Sequence, residues 1–309
     1  MKKNILITGA AGFIGRALAL YLRSHTSHEL WGMDVQGKDV PGLELLNIDL
    51  FDHTKAARAL CQRRPGIIFH LAGGRSLDAA AMFAANVRTT VALFDALAGI
   101  GRYRPRVVVM GSAAEYGCGL GPEPITEDRL GVIDTAYGQC KRAQTQAALC
   151  FGQAGADVVI ARPFNILGPG IPAATAGGRF ALQIAGLEDK PGAGCIATGH
   201  LGAVRDFLDI RDVCGALLAV AHKGLAGEIY NICSRKGVPM KMLLAHMIHL
   251  SRRRGLKVRE DKRGGCGIPC AVGSNAKLRR DTGWRPHYTW RQSVEATLGY
   301  YRAIVKAGP

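Results

Sequence analysis

A chain of 309 residues that is 48% hydrophobic can bury about 75% of its extended surface, which excludes intrinsic disorder and any need for a disulfide or metal staple. Its 40 Lys and Arg against 24 Asp and Glu give a net charge of +16. Residues 235–309 hold 17 basic and 4 acidic residues, or +13, densest at Arg252-Arg253-Arg254 through Lys257, Arg259, Lys262 and Arg263, so the charge suits a phosphorylated ligand or, equally, a solvated basic face.

Short apolar runs bounded by Gly, Pro or Asp predict strands over Asn4–Thr8, Glu29–Asp34, Leu43–Asp49, Ile67–Leu71, Arg106–Gly111 and Asp157–Arg162. Helical patterns fall between them at Gly12–Ser24, His53–Arg63, Leu77–Leu97 and Thr135–Gly155. This alternation predicts an α/β fold, a Rossmann-type doubly wound parallel sheet covered on both faces. After Pro163 the pattern loosens into Gly/Pro/Ala-rich segments, with strand-like runs at Val204–Leu208 and Glu228–Ile232. The apolar stripe Leu243/Leu244/Met247/Leu250 reads as core.

Nine scattered cysteines, with no Cys-x-x-Cys pair and no histidines at zinc spacing, fit a reduced cytosol and no metal site. The apolar run after Met1-Lys2-Lys3 breaks at Thr8-Gly9, too soon for a signal peptide, and no stretch approaches the roughly 18 apolar residues of a membrane span. A cytoplasmic protein without membrane attachment is expected.

The first strand runs into Gly9-Ala10-Ala11-Gly12-Phe13-Ile14-Gly15. Gly9, Gly12 and Gly15 suit a tight turn, close approach to a pyrophosphate and close helix–sheet contact, and the helix N-terminus offers N–H groups to the anion. Asp34, ending the second strand, is placed to accept from an adenosine ribose and repels a 2′-phosphate, so NAD(H) is expected, with NADP(H) the alternative. Asp49 either reaches the adenine or is an ordinary strand-end carboxylate.

Tyr137 and Lys141 lie at i and i+4, on one helix face. A cation beside a phenol favours its ionised form and makes it usable for proton transfer. Ser112 follows the strand Val107–Met110, at the strand end where open α/β sheets place ligands.

With these residues in this order, the sequence resembles the extended short-chain dehydrogenase/reductases, the NAD-dependent epimerases, dehydratases and reductases of nucleotide sugars. Matches extend over nearly the whole chain: His70-Leu71-Ala72, Ser112 through Gly117, Arg162-Pro163-Phe164-Asn165, Arg205 through Val213, Tyr230 through Ser234, and Lys277-Leu278 with Thr282-Gly283-Trp284. Residues 205–213 and 230–234 look most like the branch acting on GDP-mannose derivatives, the 4,6-dehydratase and the 4-keto-6-deoxy-mannose reductase.

The resemblance implies a cofactor-binding unit over 1–163 with about 209–233, and a smaller mixed α/β substrate unit over 164–208 and 234–309. It makes Tyr137 the acid/base at the sugar C4 oxygen, Lys141 the holder of the nicotinamide ribose, and Ser112 the hydrogen-bond partner of the C4 carbonyl. Phe13, Ile14, Leu50, Leu71 and Ala72 join the glycines and the two aspartates at the cofactor. Asn165, Arg179, Arg205 and Arg263 fall to the substrate; Arg205 is otherwise a structural ion-pair donor, and Arg263 a solvated loop residue. A homodimer pairing the helices near 77–97 and 135–155 is also implied.

Dehydration needs an acid/base pair directly after the catalytic Ser, and here Ala113 and Ala114 stand there. Glu115 is one residue late, and Tyr116-Gly117 fixes the alignment against a shift. A 4-reductase of an NDP-4-keto-6-deoxyhexose is therefore expected, with a 4-epimerase retaining NAD as the alternative. GDP leads as the nucleotide, although Arg263-Gly264-Gly265 departs from the related Arg-Pro-x-Asp/Glu pattern. The rival of another class is a dinucleotide-binding regulator or nucleic-acid-associated protein using the basic tail. The intact Ser112/Tyr137/Lys141 set weighs against it.

Overall fold

The first half alternates apolar strand and amphipathic helix, and the computed structural model, which describes residues 4–37, 39–188, 190, 194–261 and 268–307, keeps that order. It runs β1 (Asn4–Thr8), α1 (Phe13–His25), β2 (Glu29–Asp34), β3 (Glu44–Asn47), α2 (His53–Arg63) and β4 (Ile67–His70). Next come α3 (Ala79–Phe83), a π-helical turn (Ala84–Arg88), α4 (Thr89–Ala98), β5 (Arg106–Met110), a 3-10 turn (Ala113–Tyr116), α5 (Ala136–Gln153) and β6 (Asp157–Pro163). The second half contains β7 (Asn165–Leu167), α6 (Ala176–Glu188), β8 (Cys195–Thr198), β9 (Val204–Asp209), α7 (Ile210–Lys223) and β10 (Ile229–Ile232). It ends with β11 (Gly237–Pro239), α8 (Met240–His249), β12 (Lys257–Glu260), β13 (Cys270–Ala271), α9 (Ala276–Thr282) and α10 (Trp290–Ala307).

Seven parallel strands form the main sheet in the order β10-β6-β5-β4-β1-β2-β3. Period-two alternation sends Ile5 and Ile7 of β1 into the core under α1 and α7, and Leu6 into the opposite core under α2 and α4. From β1 the chain winds outward through β2 and β3, then returns to β4 on the other side. The switch point between β1 and β4 opens a crevice at the strands' C-terminal ends, where such sheets hold ligands.

The smaller part is built around β9, which pairs with β7 and β13 in parallel and with β11 antiparallel. Helices α6, α8 and α10 close a separate core over it. The division expected from the sequence is not clean at the C-terminal end: Leu278 and Trp284 pack into the main-sheet core beside α7. No helix among the described residues is long and apolar enough to cross a membrane.

Candidate active site

Gly9 has φ +68°, and a Cβ there would lie 2.7 Å from the amide nitrogen of Ala72. The loop after β1 can thus press against Leu71 and Ala72 after β4, whose amides bond to Thr8. Gly15 is needed for a different closeness: its Cβ would stand 2.3 Å from the Gly9 carbonyl oxygen. Gly12 begins α1 with no side-chain cap, which leaves the Phe13 and Ile14 end of the helix to attract an anion. This cradle fits a dinucleotide pyrophosphate.

Asp34 does end β2, and its carboxylate also braces the loop: Oδ2 accepts from Ala11 N and Oδ1 from Gln36 N, both at 2.9 Å. Each oxygen keeps a second lone pair for a ribose hydroxyl. The predicted strand to Asp49 stops at Asn47, because Asp49 turns the chain instead, accepting from Phe51 N at 2.9 Å. Leu50 beside it is buried.

Thr135 caps the start of α5, its hydroxyl accepting from Gly138 N at 3.1 Å, so Tyr137 lies in the first turn. A Cβ on Gly138 would stand 2.5 Å from Ala114 O. Its absence lets the helix carrying Tyr137 and Lys141 close onto the turn headed by Ser112. Tyr137 and Ser112 are half-buried, whereas Lys141 is buried. Lys141 Nζ donates to Met110 O and Gln144 Oε1, each at 2.6 Å, leaving one of its three donors. Burial brings this ammonium down to about 8, and the Glu115 carboxylate acts against that fall.

Sequence reasoning missed three supports. First, Glu115 is no stray acid: Oε1 accepts from Ser112 N at 2.7 Å, and Oε2 pairs with Arg162 Nη2 at 2.7 Å, with both side chains buried. Ser112-x-x-Glu115 is capping-box spacing, a signal present in the sequence. Second, a buried chain of hydrogen bonds runs from Lys141 through Gln144 and Thr90 to His70 and Thr8. Third, the Arg75 guanidinium stacks over the Tyr137 ring at 4.2 Å.

The expected substrate contacts lie in the smaller part. Asn165 Nδ2 donates to Asp206 O at 3.1 Å, which ties β7 to β9. Arg205 is half-buried on β9, and its Nη1 donates to Val204 O at 2.9 Å. Arg179 is exposed on α6 and lines a cavity of about 790 Å³ with Gln183, Thr198, Gly199 and Arg259. Arg263 lies outside the described residues. No group of three His, Cys, Asp or Glu among the described residues is arranged for a metal ion.

Residues 5–233 match the family model described as the NAD dependent epimerase/dehydratase family. The chain is 29% identical to GDP-6-deoxy-D-mannose reductase of Pseudomonas aeruginosa, covering 99% of each chain. It is 24% identical to GDP-6-deoxy-D-talose 4-dehydrogenase of Aggregatibacter actinomycetemcomitans, covering 96% of this chain and 95% of that one. The solved structure of RMD from Pseudomonas aeruginosa complexed with NADPH superposes with a TM-score of 0.86 at 28% identity, over 98% of this chain and 99% of that one.

Proposed function

From the premise that the chain belongs to the NAD dependent epimerase/dehydratase family, we propose that it is an NAD(P)H-dependent oxidoreductase reducing the C4 carbonyl of an NDP-4-keto-6-deoxyhexose. Gly9, Gly12, Gly15 and Asp34 hold the dinucleotide, which supplies the hydride when bound. Tyr137 gives its phenolic proton to the C4 oxygen while the Ser112 hydroxyl hydrogen-bonds that oxygen. The remaining Lys141 donor holds the nicotinamide ribose. Asn165, Arg179 and Arg205 meet the nucleotide sugar, with the diphosphate at Arg205. The two units, 1–163 with 209–233 and 164–208 with 234–309, enclose it.

One observation carries reduction over dehydration. The positions that need proton-transferring groups are methyl-bearing Ala113 and Ala114, and the nearest carboxylate, Glu115, is buried against Arg162 and Ser112 N. The relative's name supplies the GDP-mannose series as the first substrates to try. Asp34 favours NADH by repelling a 2′-phosphate, whereas the similar RMD structure holds NADPH, so both reductants belong in the assay. We also propose a homodimer through the helices near 77–97 and 135–155, supported by Leu77 and Phe83, which are 107% and 44% exposed.

The test is oxidation of NADH and NADPH with GDP-4-keto-6-deoxy-mannose and related 4-keto sugars, with products identified by NMR. Wild type oxidises the reductant and yields the C4 alcohol, and Tyr137→Phe lowers kcat at least about 1000-fold while still binding NAD(P)H. Interconversion of C4 epimers without net oxidation points instead to an epimerase. Full activity in Tyr137→Phe removes Tyr137 from the chemistry.

A further inference from the structure

The Glu115–Arg162 pair is costly as a mere filler of the core. Arg162 Nε and Nη1 have no hydrogen-bond partner among the described residues, and the charge of this buried guanidinium is met by Glu115. The guanidinium lies over the Tyr116 ring at 4.6 Å, and the Tyr116 hydroxyl donates to buried Asn231 at 2.5 Å. Asn231 in turn donates to Ile125 O at 2.9 Å. Glu115 is thus held from β6 and β10 on one side and holds Ser112 on the other. A Cβ on Gly111 would stand 2.5 Å from Glu115 Oε1, so glycine at 111 leaves room for the carboxylate directly beneath the end of β5.

We propose that Glu115 is a positioning residue of this site, fixing the Ser112 turn through its anchored carboxylate and setting that negative charge against Lys141. The proposal rests on the reductase reading for its kinetic consequence. Several groups surround the Lys141 ammonium. Gln144 on α5 and the Met110 carbonyl on β5 take its hydrogen bonds. His70 on β4 also couples to it electrostatically. Tyr137 shares its helix, and Arg162 on β6 pairs with Glu115. His70 is held neutral by burial, so the carboxylate of Glu115 is the group in this set that favours the ammonium.

Glu115→Gln keeps an oxygen for Ser112 N and removes the charge. Because it strands buried Arg162, Glu115→Gln/Arg162→Met is made beside it to restore a neutral core. Lys141 is followed by NMR of 13Cε-labelled lysines, its signal assigned by its loss in Lys141→Arg. In Glu115→Gln the Lys141 titration midpoint falls by about one unit from that of wild type, and in the double variant, which also removes the opposing Arg162 charge, it falls by less. With a 4-keto nucleotide sugar, kcat falls about tenfold while KM holds within about twofold, and the alkaline limb moves to lower pH. An unchanged midpoint in Glu115→Gln, or an unchanged kcat in either folded variant, overturns the proposal. If wild type turns over no nucleotide sugar, the reductase reading fails and the lysine titration still decides this one.

Discussion

His70 shows how one buried residue can be read from its partners. Its Nδ1 lies 2.8 Å from Thr8 Oγ1 and its Nε2 2.9 Å from Thr90 Oγ1. Thr90 gives its single hydroxyl proton to Asn86 O at 2.8 Å, so it accepts from His70 and from Gln144 Nε2. Nε2 therefore carries a proton, and in the neutral ring Nδ1 accepts from Thr8. Burial, and then the Lys141 charge, push His70 from 6.5 down to about 3. Between these values the unfolded chain binds the proton that the native ring refuses, so stability falls as pH falls through that window. Relative to His70→Gln, wild type loses about 1.4 kcal/mol per pH unit from pH 6 to pH 4. Denaturant unfolding of both proteins across that range measures the gap, and a gap independent of pH contradicts the neutral ring. The sequence shows His70 only near the end of a predicted strand, in the His70-Leu71-Ala72 match. Its partners stand 62 and 20 residues away, where no local pattern points. The Ser112–Glu115 contact, three residues apart, was by contrast open to local reading.

At the scale of elements, the helix expected over Leu77–Leu97 runs without a break from Ala79 to Ala98 and contains a π-helical turn over Ala84–Arg88. Apolar periodicity over these Ala-rich residues does not register the added backbone residue of a π turn. The turn carries Asn86, whose Nδ2 donates to Gly74 O at 2.7 Å and to Met82 O at 2.8 Å. Its Oδ1 would stand 2.7 Å from a Cβ on Gly73, where φ is +149°. The loop that delivers Arg75 over Tyr137 is thus seated on one amide. Asn86→Ala removes both donations and leaves Gly74 N without its side-chain acceptor, which costs about 1–3 kcal/mol. With Arg75 no longer held over Tyr137, KM for the nucleotide sugar rises several-fold. Thermal unfolding and steady-state kinetics check the two effects separately, and an unchanged KM in a destabilised variant shows that the loop is positioned by something other than Asn86. The strands of the main sheet were legible because burial on both faces demands continuous Ile, Val and Leu. In the smaller part β9 was read, at Val204–Leu208, but β7 and β11 were not: they have three residues each, too few to show a period, and their pairing with β9 is visible only in three dimensions.

For the whole molecule, the +13 on residues 235–309 has a partly structural explanation. Arg302 clasps Glu188 at 2.7 and 2.8 Å and donates to Leu250 O at 2.8 Å, while Arg253 donates to Leu187 O at 2.6 Å and to Lys190 O. Two arginines from the basic segment thus serve the C-terminal end of α6, where carbonyls and the helix dipole favour cations. This end lies remote in sequence from both arginines, so charge counting alone could not assign them there. Arg302→Met keeps the aliphatic stem and leaves Glu188, whose side chain is 3% exposed, with the Arg252 amide but without its cation, at a cost of about 1–3 kcal/mol. The loss should not stay in the smaller part. Ser293 of α10 donates to Asp209 at 2.7 Å, Thr297 accepts from Gly168 N at 2.9 Å, and Leu278 and Trp284 complete the main-sheet core. Because the chain crosses between the two parts repeatedly and each completes the other, Arg302→Met lowers one shared unfolding transition by several degrees. Calorimetry with NADH binding followed in parallel tests this. An early transition that leaves NADH bound would show the two parts to be independent folding units.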